Sequence, residues 1–372
     1  MEKELRFVGK ENRQFFATVR KRVDTYFKDN NLSKHANAEM YFKTFFFLGG
    51  TIALYSLIMF AGFSLWAMLG LAVVLGVFQA CIGFNVTHDA MHGAYSSKSW
   101  VNYAIGLVFN IIGGNDYVWR ITHNLVHHTY TNIPGHDEDI DVAPGMVRLS
   151  PEEKLKPIMK WQHIYAFPLY GLASVSWVLR KDYKKFFQDK IGETVIKHKP
   201  IDYFNLFFFK AVNYTLFIVL PLIFLDITWW QFIIGFLTMH VFFGLVLGLV
   251  FQLAHVVEGT DFPYPNEDYN IDEAWAVHQM QTTANFARKS WLANFICGGL
   301  NMQIEHHLFP QVCHTHYKEV SKIVKSTALE FDVPYIENET FGGAIASHYR
   351  MLKKFGKDSL KKQESPQLSV VN

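Results

Sequence analysis

The histidines of this chain lie at spacings that suit a metal centre. Seven of its 17 histidines fall in three short motifs, which are His88 with His92, His123 with His127 and His128, and His306 with His307. Two histidines four residues apart share one face of a helix and can bind one ion. An adjacent histidine points about 100° away and can reach a second ion. So many nitrogen ligands suit redox-active iron better than structural zinc, which needs only four ligands.

His255 is the predicted eighth ligand. It ends the fourth apolar segment, at the depth that His88 has at the end of the second. His240 lies 15 residues earlier, about 22 Å along a straight helix. We therefore predict that His240 is not a ligand.

Three further residues are candidate ligands or hydrogen-bond partners of ligands. Gln303 lies three and four residues before His306 and His307, and would bind a metal directly or through water. His278 precedes the same motif. Asp89 could accept a hydrogen bond from a ligating imidazole, with an exposed helix charge as the alternative.

The other polar groups are expected to face solvent. The acidic run at 137–141 lacks the spacing of a calcium loop, and indicates a solvated loop or hydrogen-bond partners for the adjacent histidine pair. The remaining histidines are expected at the surface or the membrane interface, and they are His35, His136, His163, His198, His314, His316 and His348.

Long apolar segments must position these residues. Residues 44–87 include no charged residue, and a second apolar region at 211–254 is interrupted only by Asp226. Each is long enough for two crossings of a hydrocarbon core about 30 Å thick. The sequence therefore predicts an all-α integral membrane protein with four transmembrane helices in two hairpins, at about 44–63, 65–87, 206–225 and 229–255.

The positive-inside rule predicts the orientation, because Lys and Arg are concentrated outside the two short turns. Residues 1–43, 88–205 and 256–356 are predicted to be cytoplasmic, with a polar tail at 357–372. Both termini and the metal centre then lie on the cytoplasmic side, where a helical cap holds the centre. The short apolar stretches at 99–115 and 161–179 are predicted to be interfacial or re-entrant, since one crossing by either would separate the histidine motifs.

Composition excludes several classes of protein. Half of the residues are hydrophobic and only 18% are charged, which is compatible with a membrane enzyme. A net charge of +2 gives no field for binding nucleic acid. The three cysteines are widely separated, which argues against disulfides and thiolate zinc. The first residues include no apolar stretch typical of a signal peptide.

The motifs and their surroundings resemble the membrane fatty acid desaturases, and within them the front-end subgroup. The resemblance rests on residues 88–96 (HDAMHGAYS), 127–141 (HHTYTNIPGHDEDID), 278–286 (HQMQTTANF) and 301–310 (NMQIEHHLFP). It extends over about residues 35–350. A glutamine at position 303, where other desaturases have the first histidine of the last motif, is typical of the front-end subgroup.

The resemblance implies a cytoplasmic cap with two iron ions and a kinked apolar tunnel for an acyl chain. The implied ligands are His88, His92, His123, His127, His128, His255, His306 and His307, with Gln303 less strongly implied. Trp119 and Trp275 are candidate tunnel residues because each lies close to a histidine motif. Many front-end enzymes carry an N-terminal haem domain with an HPGG motif. This chain shows no such motif, so we expect electrons from a separate carrier, such as a ferredoxin or a cytochrome-type protein. We also expect the enzyme itself to lie in a bacterial inner membrane.

The predicted function is an O2-dependent desaturase that introduces a cis double bond into a fatty acyl chain, between an existing double bond and the carboxyl end. No side chain can oxidise an unactivated methylene, so a metal and dioxygen must do so. The sequence leaves the acyl carrier open among coenzyme A, a carrier protein and a lipid. A hydroxylase acting on fatty acyl chains or alkanes is the alternative, and a membrane carrier of haem or metal is a more distant one.

Overall fold

The computed structural model describes residues 5–10, 12–140, 143, 145–149, 153–192 and 194–357. Apart from Lys357, the predicted polar tail lies outside these residues.

The described chain is mainly helical. The α-helices are α1 (Arg13–Asp29), α2 (Ala38–Phe60), α3 (Leu65–Ile82), α4 (His88–Met91), α5 (Ser99–Ile111), α6 (Asp116–Trp119), α7 (His128–Tyr130), α8 (Gln162–Gly171), α9 (Ala173–Ser176), α10 (Asp182–Phe186), α11 (Pro200–Tyr214), α12 (Leu220–Phe224), α13 (Trp229–His255), α14 (Trp275–Thr282), α15 (Trp291–Cys297), α16 (Gln303–Leu308), α17 (Tyr317–Glu330) and α18 (Phe341–Phe355). Segments of π-helix are Gly83–Thr87, Arg120–His127, Trp177–Lys181 and Thr215–Val219, and short 3₁₀ segments are Pro157–Trp161 and His314–His316.

Short strands connect distant parts of the cap. They are β1 (Arg6–Phe7), β2 (Lys190–Ile191), β3 (Thr194–Val195), β4 (Asn270–Ile271), β5 (Asn285–Phe286) and β6 (Glu337–Asn338). β1 pairs in parallel with β4, β2 pairs antiparallel with β3, and β5 pairs in parallel with β6.

Four helical stretches are long and apolar enough to cross a membrane, as predicted. Within the described residues they are Ala38–Phe60, Leu65–Met91, Pro200–Phe224 and Trp229–His255. The first helix begins at Ala38, before the predicted start of the span at 44, and so includes Lys43. Lys43 is buried, and its ammonium group lies 2.8 Å from Nε2 of His314. The second continues through a π-helical segment into α4, so His88 belongs to the spanning helix itself.

α3 lies between two other spanning helices, since it packs against both α2 and α13. A glycine allows the close approach to α13, because a side chain at Gly76 would collide with the carbonyl group of Met239. Small residues commonly permit such contacts between membrane helices.

The apolar stretch at 161–179 lies along α13 rather than forming a further spanning helix in the described chain. A Cβ atom at Gly244 would lie only 2.6 Å from the carbonyl oxygen of Gly171. α8 therefore packs with its backbone directly against α13, and α9 follows it.

The cap includes an amphipathic pair of helices, α1 and α17. Phe15, Val19 and Val23 of α1 are buried in one cluster with Val320 and Val324 of α17. α17 is thus amphipathic, and its apolar face is covered by α1.

Candidate metal centre

Four separate parts of the chain bring the predicted ligands together. The end of the second spanning stretch carries His88 and is followed by His92, and α13 ends at His255. The π-helical segment Arg120–His127 continues into α7, and α16 carries the third motif.

Two neighbouring groups of histidine nitrogens result. His88, His92, His123 and His306 form the first group, and His127, His255 and His307 form the second; in each, the nitrogens lie within 4.8 Å of one another. His128 forms a further group with His306 and His307, and so adjoins both. All eight predicted ligands take part in these groups.

The spacing of the groups fits metal ions. Nitrogens on opposite sides of an ion are at most about 4.2 Å apart at typical metal–nitrogen distances. Nitrogens that already lie within 4.8 Å therefore need only small movements to bind a common ion.

Most of the predicted ligands have a buried ring nitrogen without a hydrogen-bond partner among the residues that the structure describes. This holds for Nε2 of His88, His92, His123, His127 and His306, and for both ring nitrogens of His128. Buried polar atoms in proteins are normally hydrogen-bonded. So many inward-facing nitrogens without partners are the pattern expected of a metal site.

Two aspartates orient the second motif. Nδ1 of His123 lies 2.9 Å from a carboxylate oxygen of Asp139, and Nδ1 of His127 lies 2.8 Å from one of Asp137. With Nδ1 bound in this way, Nε2 is directed towards the centre. The acidic run therefore supplies hydrogen-bond partners for ligands, and Asp137 is buried rather than solvated.

These contacts also affect protonation. Burial lowers the pKa of His123 to about 4, despite the opposing effect of Asp139. Burial alone would lower the pKa of His127 as well, but the Asp137 carboxylate outweighs it and raises the pKa. Burial and nearby imidazoles lower the pKa values of His128 and His306, which keeps these rings neutral and able to bind a metal.

Two other predicted ligands, His306 and His307, are held by groups that the sequence did not single out for this role. Nδ1 of His307 lies 2.7 Å from Oε1 of Gln279, and Nδ1 of His306 lies 3.3 Å from the hydroxyl of Tyr317. Gln279 lies within the segment 278–286 on which the family resemblance rests. Its place in that segment was the one feature of the sequence that could have marked Gln279 as a functional residue.

Gln303 lies beside the second group. Its amide nitrogen is 2.9 Å from Nε2 of His255 and 3.3 Å from Nε2 of His307, and its buried Oε1 has no partner among the described residues. The side chain therefore stands where a fourth ligand of this group would lie.

The other candidates lie outside the two groups. His278 is buried and its ring contacts Phe7, with 5.0 Å between ring centres. Asp89 is buried, so the alternative of an exposed helix charge is wrong. Its carboxylate accepts hydrogen bonds from the backbone N–H and from Nδ1 of His314, at 3.0 and 2.9 Å.

Burial also corrects the expectation for five of the remaining histidines. Those that are buried rather than at a surface are His136, His163, His314, His316 and His348. Four of them, all except His163, satisfy a ring nitrogen through long-range contacts, as when Nδ1 of His348 donates to the carbonyl of Val256 at 2.7 Å. Such contacts have no signature in the local sequence.

The second motif lies in a π-helix, whereas α-helical geometry was expected. Its i→i+5 hydrogen bonds widen the turn, so successive side chains are separated by a smaller angle than in an α-helix. This helps His127 and His128 to face the same centre. Segments of π-helix are frequent at functional sites.

An apolar cavity of about 150 Å³ adjoins the first group. Its lining includes His88, His123 and Trp119, with Phe251 of α13 and Trp177. The predicted position of Trp119 beside an apolar cavity agrees with this lining.

Trp275 lies elsewhere. Its indole N–H donates to the carbonyl oxygen of His128 at 3.1 Å, and its ring contacts Phe16 of α1. It is not among the residues that line the cavity.

Comparison with known proteins gives the family. A model described as fatty acid desaturase matches residues 64–339. The chain belongs to the fatty acid desaturase family. The predicted resemblance is thus confirmed, and with it an oxidoreductase that acts on fatty acyl lipids in a membrane.

Several similar proteins are named as desaturases. An sn-1 linoleoyl-lipid 6-desaturase of Synechocystis is 37% identical over 351 residues, covering 94% of this chain and 97% of that protein. An acyl-lipid (8-3)-desaturase of Physcomitrium patens is 36% identical, covering 95% of this chain and 74% of that protein. An acyl-lipid (8-3)-desaturase of Mortierella alpina is 32% identical, covering 92% of this chain and 78% of that protein.

Proposed function

We propose that this desaturase binds two iron ions and introduces a cis double bond into the acyl chain of a lipid, between an existing double bond and the carboxyl end. The observation that carries the proposal is the pair of adjoining groups of buried histidine nitrogens next to an apolar cavity. With dioxygen, iron ions held there would supply the oxidising power that side chains lack.

The proposed ligands of one ion are His88, His92, His123 and His306, and those of the other are His127, His255 and His307. His128 would complete the centre between them, since it adjoins both groups. Gln303 would bind the second ion through its amide oxygen or through water.

The cavity would hold the reacting part of the acyl chain. Phe84, Phe109, Trp177 and Phe251 contribute apolar surface, which favours a methylene chain and excludes water from the reacting carbons. Asp139 and Lys181 give the same cavity a polar side, where their charged groups lie 3.6 Å apart. A polar headgroup or the ester end of a lipid would be accommodated there.

The proposed substrate follows the names of the similar proteins. One is named for a linoleoyl lipid, whose acyl chain already has double bonds. Others are named as acyl-lipid desaturases. We infer the same class of substrate here: a polyunsaturated or monounsaturated acyl chain carried on a membrane lipid.

The proposed topology places both termini and the metal centre on the cytoplasmic side of a bacterial inner membrane, with the four spanning helices in two hairpins. All eight proposed ligands lie at or beyond ends of spanning helices or in the cap. A cytoplasmic electron carrier, of the ferredoxin or cytochrome type, would then reach the centre from the aqueous side.

The test is the fatty acid profile of a host that expresses this chain and is fed linoleate. We expect a new cis double bond on the carboxyl side of the existing bonds, located by mass spectrometry of derivatised esters. His306→Ala should abolish the product while the protein remains in the membrane. His163→Gln, a change at a buried histidine outside both groups, should retain it. Hydroxylated acids would contradict the proposal and indicate a hydroxylase.

A further inference from the structure

We propose that the exposed face of α1 is the docking surface for a small acidic one-electron carrier, and that Phe16 and Trp275 lead from it to the metal centre. This inference rests on the proposed function, since only an enzyme that consumes electrons needs such a surface.

The exposed face of α1 is rich in positive charge. Arg13, Arg20, Lys21 and Lys28 are all exposed, and no ion pair within the described part of the chain involves Arg20, Lys21 or Lys28. In contrast, Arg22 forms a salt bridge with Glu330 of α17, so it serves the contact between helices. The cations of the outer face are therefore available to a partner.

The apolar face of α1 is already covered, which argues against a membrane-binding role. A helix that lies in a membrane interface buries its apolar side among lipids. Here Phe15, Val19, Val23 and Phe27 are buried in the cluster shared with α17. Only the polar side of α1 remains exposed. A negatively charged protein fits this side better than the acyl region of a membrane does.

Phe16 lies within this charged surface. It is half-buried, and it lines one shallow concavity together with Arg13, Arg20 and Lys28. Asp24 also lines this concavity, and its carboxylate is paired with Lys34 at 2.6 Å. Arg13 precedes it by three residues and Arg20 follows it by four, the spacing of side chains that share a helix face. The surface thus has an aromatic centre and a rim of cations.

A short series of contacts leads from Phe16 to the metal centre. Its ring centre lies 5.5 Å from that of Trp275, and the indole N–H of Trp275 donates to the carbonyl oxygen of His128 at 3.1 Å. His128 adjoins both histidine groups. Two contacts therefore separate a surface residue from a proposed ligand.

The proposed reaction defines what the partner must deliver. Desaturation of one CH2–CH2 unit by one O2 removes two hydrogens from the acyl chain and forms two water molecules. The oxygen molecule accepts four electrons, of which two come from the acyl chain as two of its C–H bonds are broken and the double bond forms. The other two, together with two protons, must be supplied, so a one-electron carrier is oxidised twice in each turnover.

An acidic carrier fits this surface because opposite charges steer association. Such steering is strong at low ionic strength and is screened by salt, because the Debye length is about 10 Å at 0.1 M. Changes in the rim cations should therefore alter the affinity and its dependence on salt.

The test is binding of an acidic plant-type [2Fe–2S] ferredoxin to the full chain in nanodiscs of neutral lipid. We expect Arg20→Glu with Lys21→Glu to weaken binding roughly tenfold or more at low ionic strength, with convergence towards wild type at high salt. The matched control is Lys353→Glu with Lys354→Glu, which reverses two exposed cations of α18 and should leave the dissociation constant unchanged. Equal effects of both double variants, or no effect of the α1 variant, would overturn the proposal.

A second variant tests the route rather than the surface. Trp275→Phe keeps an aromatic ring beside Phe16 but removes the donor to His128. Turnover at saturating ferredoxin should fall several-fold, with the dissociation constant and the iron content per chain unchanged. Unchanged turnover would exclude Trp275 from the route.

Two further measurements separate the possible failures. Turnover of the wild-type chain with dithionite tests the desaturase proposal without any carrier. Suppose that the wild type forms product with dithionite, but that the α1 double variant binds ferredoxin as tightly as the wild type does. This result would contradict only the docking surface. Nanodiscs with anionic lipid test the membrane alternative. If the α1 cations bound lipid headgroups, their reversal would reduce dithionite-supported turnover there and leave ferredoxin binding unaltered, which would overturn the docking surface.

Discussion

Asp137 and Asp139 determine which nitrogen of two imidazoles faces the metal centre. Each carboxylate lies within hydrogen-bond distance of Nδ1 of its histidine, which leaves Nε2 directed inwards. Asp137 also accepts a hydrogen bond from the backbone N–H of Asn132 at 3.0 Å. The carboxylate is thus fixed by the loop and in turn fixes His127.

Replacement of this carboxylate should weaken metal binding. Asp137→Asn keeps the size of the side chain but removes the charge that supports the His127 N–H. Partners of ligands of this kind typically contribute 10–100-fold in metal affinity or activity, and we expect a loss of about that size. The measurement is iron per chain after dialysis against a competing chelator.

The neighbouring acidic residue provides the control for that experiment. Glu138 forms an ion pair with Lys185 at 3.3 Å, so Glu138→Gln should leave iron binding unaltered. Equal iron loss in both variants would mean that the negative charge of the loop, rather than the contact with His127, holds the metal.

At the scale of elements, the contact between α8 and α13 positions one wall of the cavity. α8 approaches α13 at Gly244 and Gly248, and the following helical segment carries Trp177 to the cavity lining. The backbone of α8 can lie this close only because α13 has no side chain at either position.

A larger side chain at this contact should separate the two helices. In Gly244→Leu the new side chain would meet the carbonyl oxygens of Gly171 and Tyr170, and overpacking of this kind typically costs about 1–3 kcal/mol. We expect a lower melting temperature in detergent and loss of desaturase activity. Gly235→Leu on the same helix is the control, since a Cβ there meets nothing within 4 Å. An unchanged Gly244→Leu protein would contradict the assigned packing.

The elements that could be predicted from sequence are those with a local signal. Four spanning helices follow from long uncharged segments, and the histidine motifs follow from spacing and resemblance. Lys43 shows why the start of the helix differs from the start of the uncharged segment. A charged residue ends an apolar segment in the sequence, yet here it is buried against His314, which is 271 residues away.

The same limit applies to the candidate site. The eight histidines could be named because they recur in short motifs. The roles of the partners that orient His306 and His307 could not be assigned, since Tyr317 and Gln279 reach them through the fold. The only sequence signal was that Gln279 lies within the segment 278–286 that supports the family resemblance. The π-helical segment Arg120–His127 was equally hidden, because its residues also fit an α-helical pattern.

For the whole molecule, the candidate metal centre connects parts of the chain that are far apart in sequence. The second spanning stretch, the π-helical segment, the end of α13 and α16 each contribute histidines to it. Their buried ring nitrogens that lack hydrogen-bond partners among the described residues would make these contacts depend on bound metal. The proposed ions would therefore stabilise the cap as well as carry out chemistry.

Removal of iron should loosen the cap more than the spanning helices. Because a ligand stabilises the folded state to which it binds, a strong chelator should lower the melting temperature of the wild-type protein by several degrees. Hydrogen exchange should increase around residues 120–128 and 303–308, and stay low in α3. The chelator should not shift the melting temperature of a His127→Ala, His306→Ala double variant, which lacks a ligand in each group. If removal of measured iron left both the melting temperature and exchange of the wild type unaltered, the metal would not be part of the folded cap.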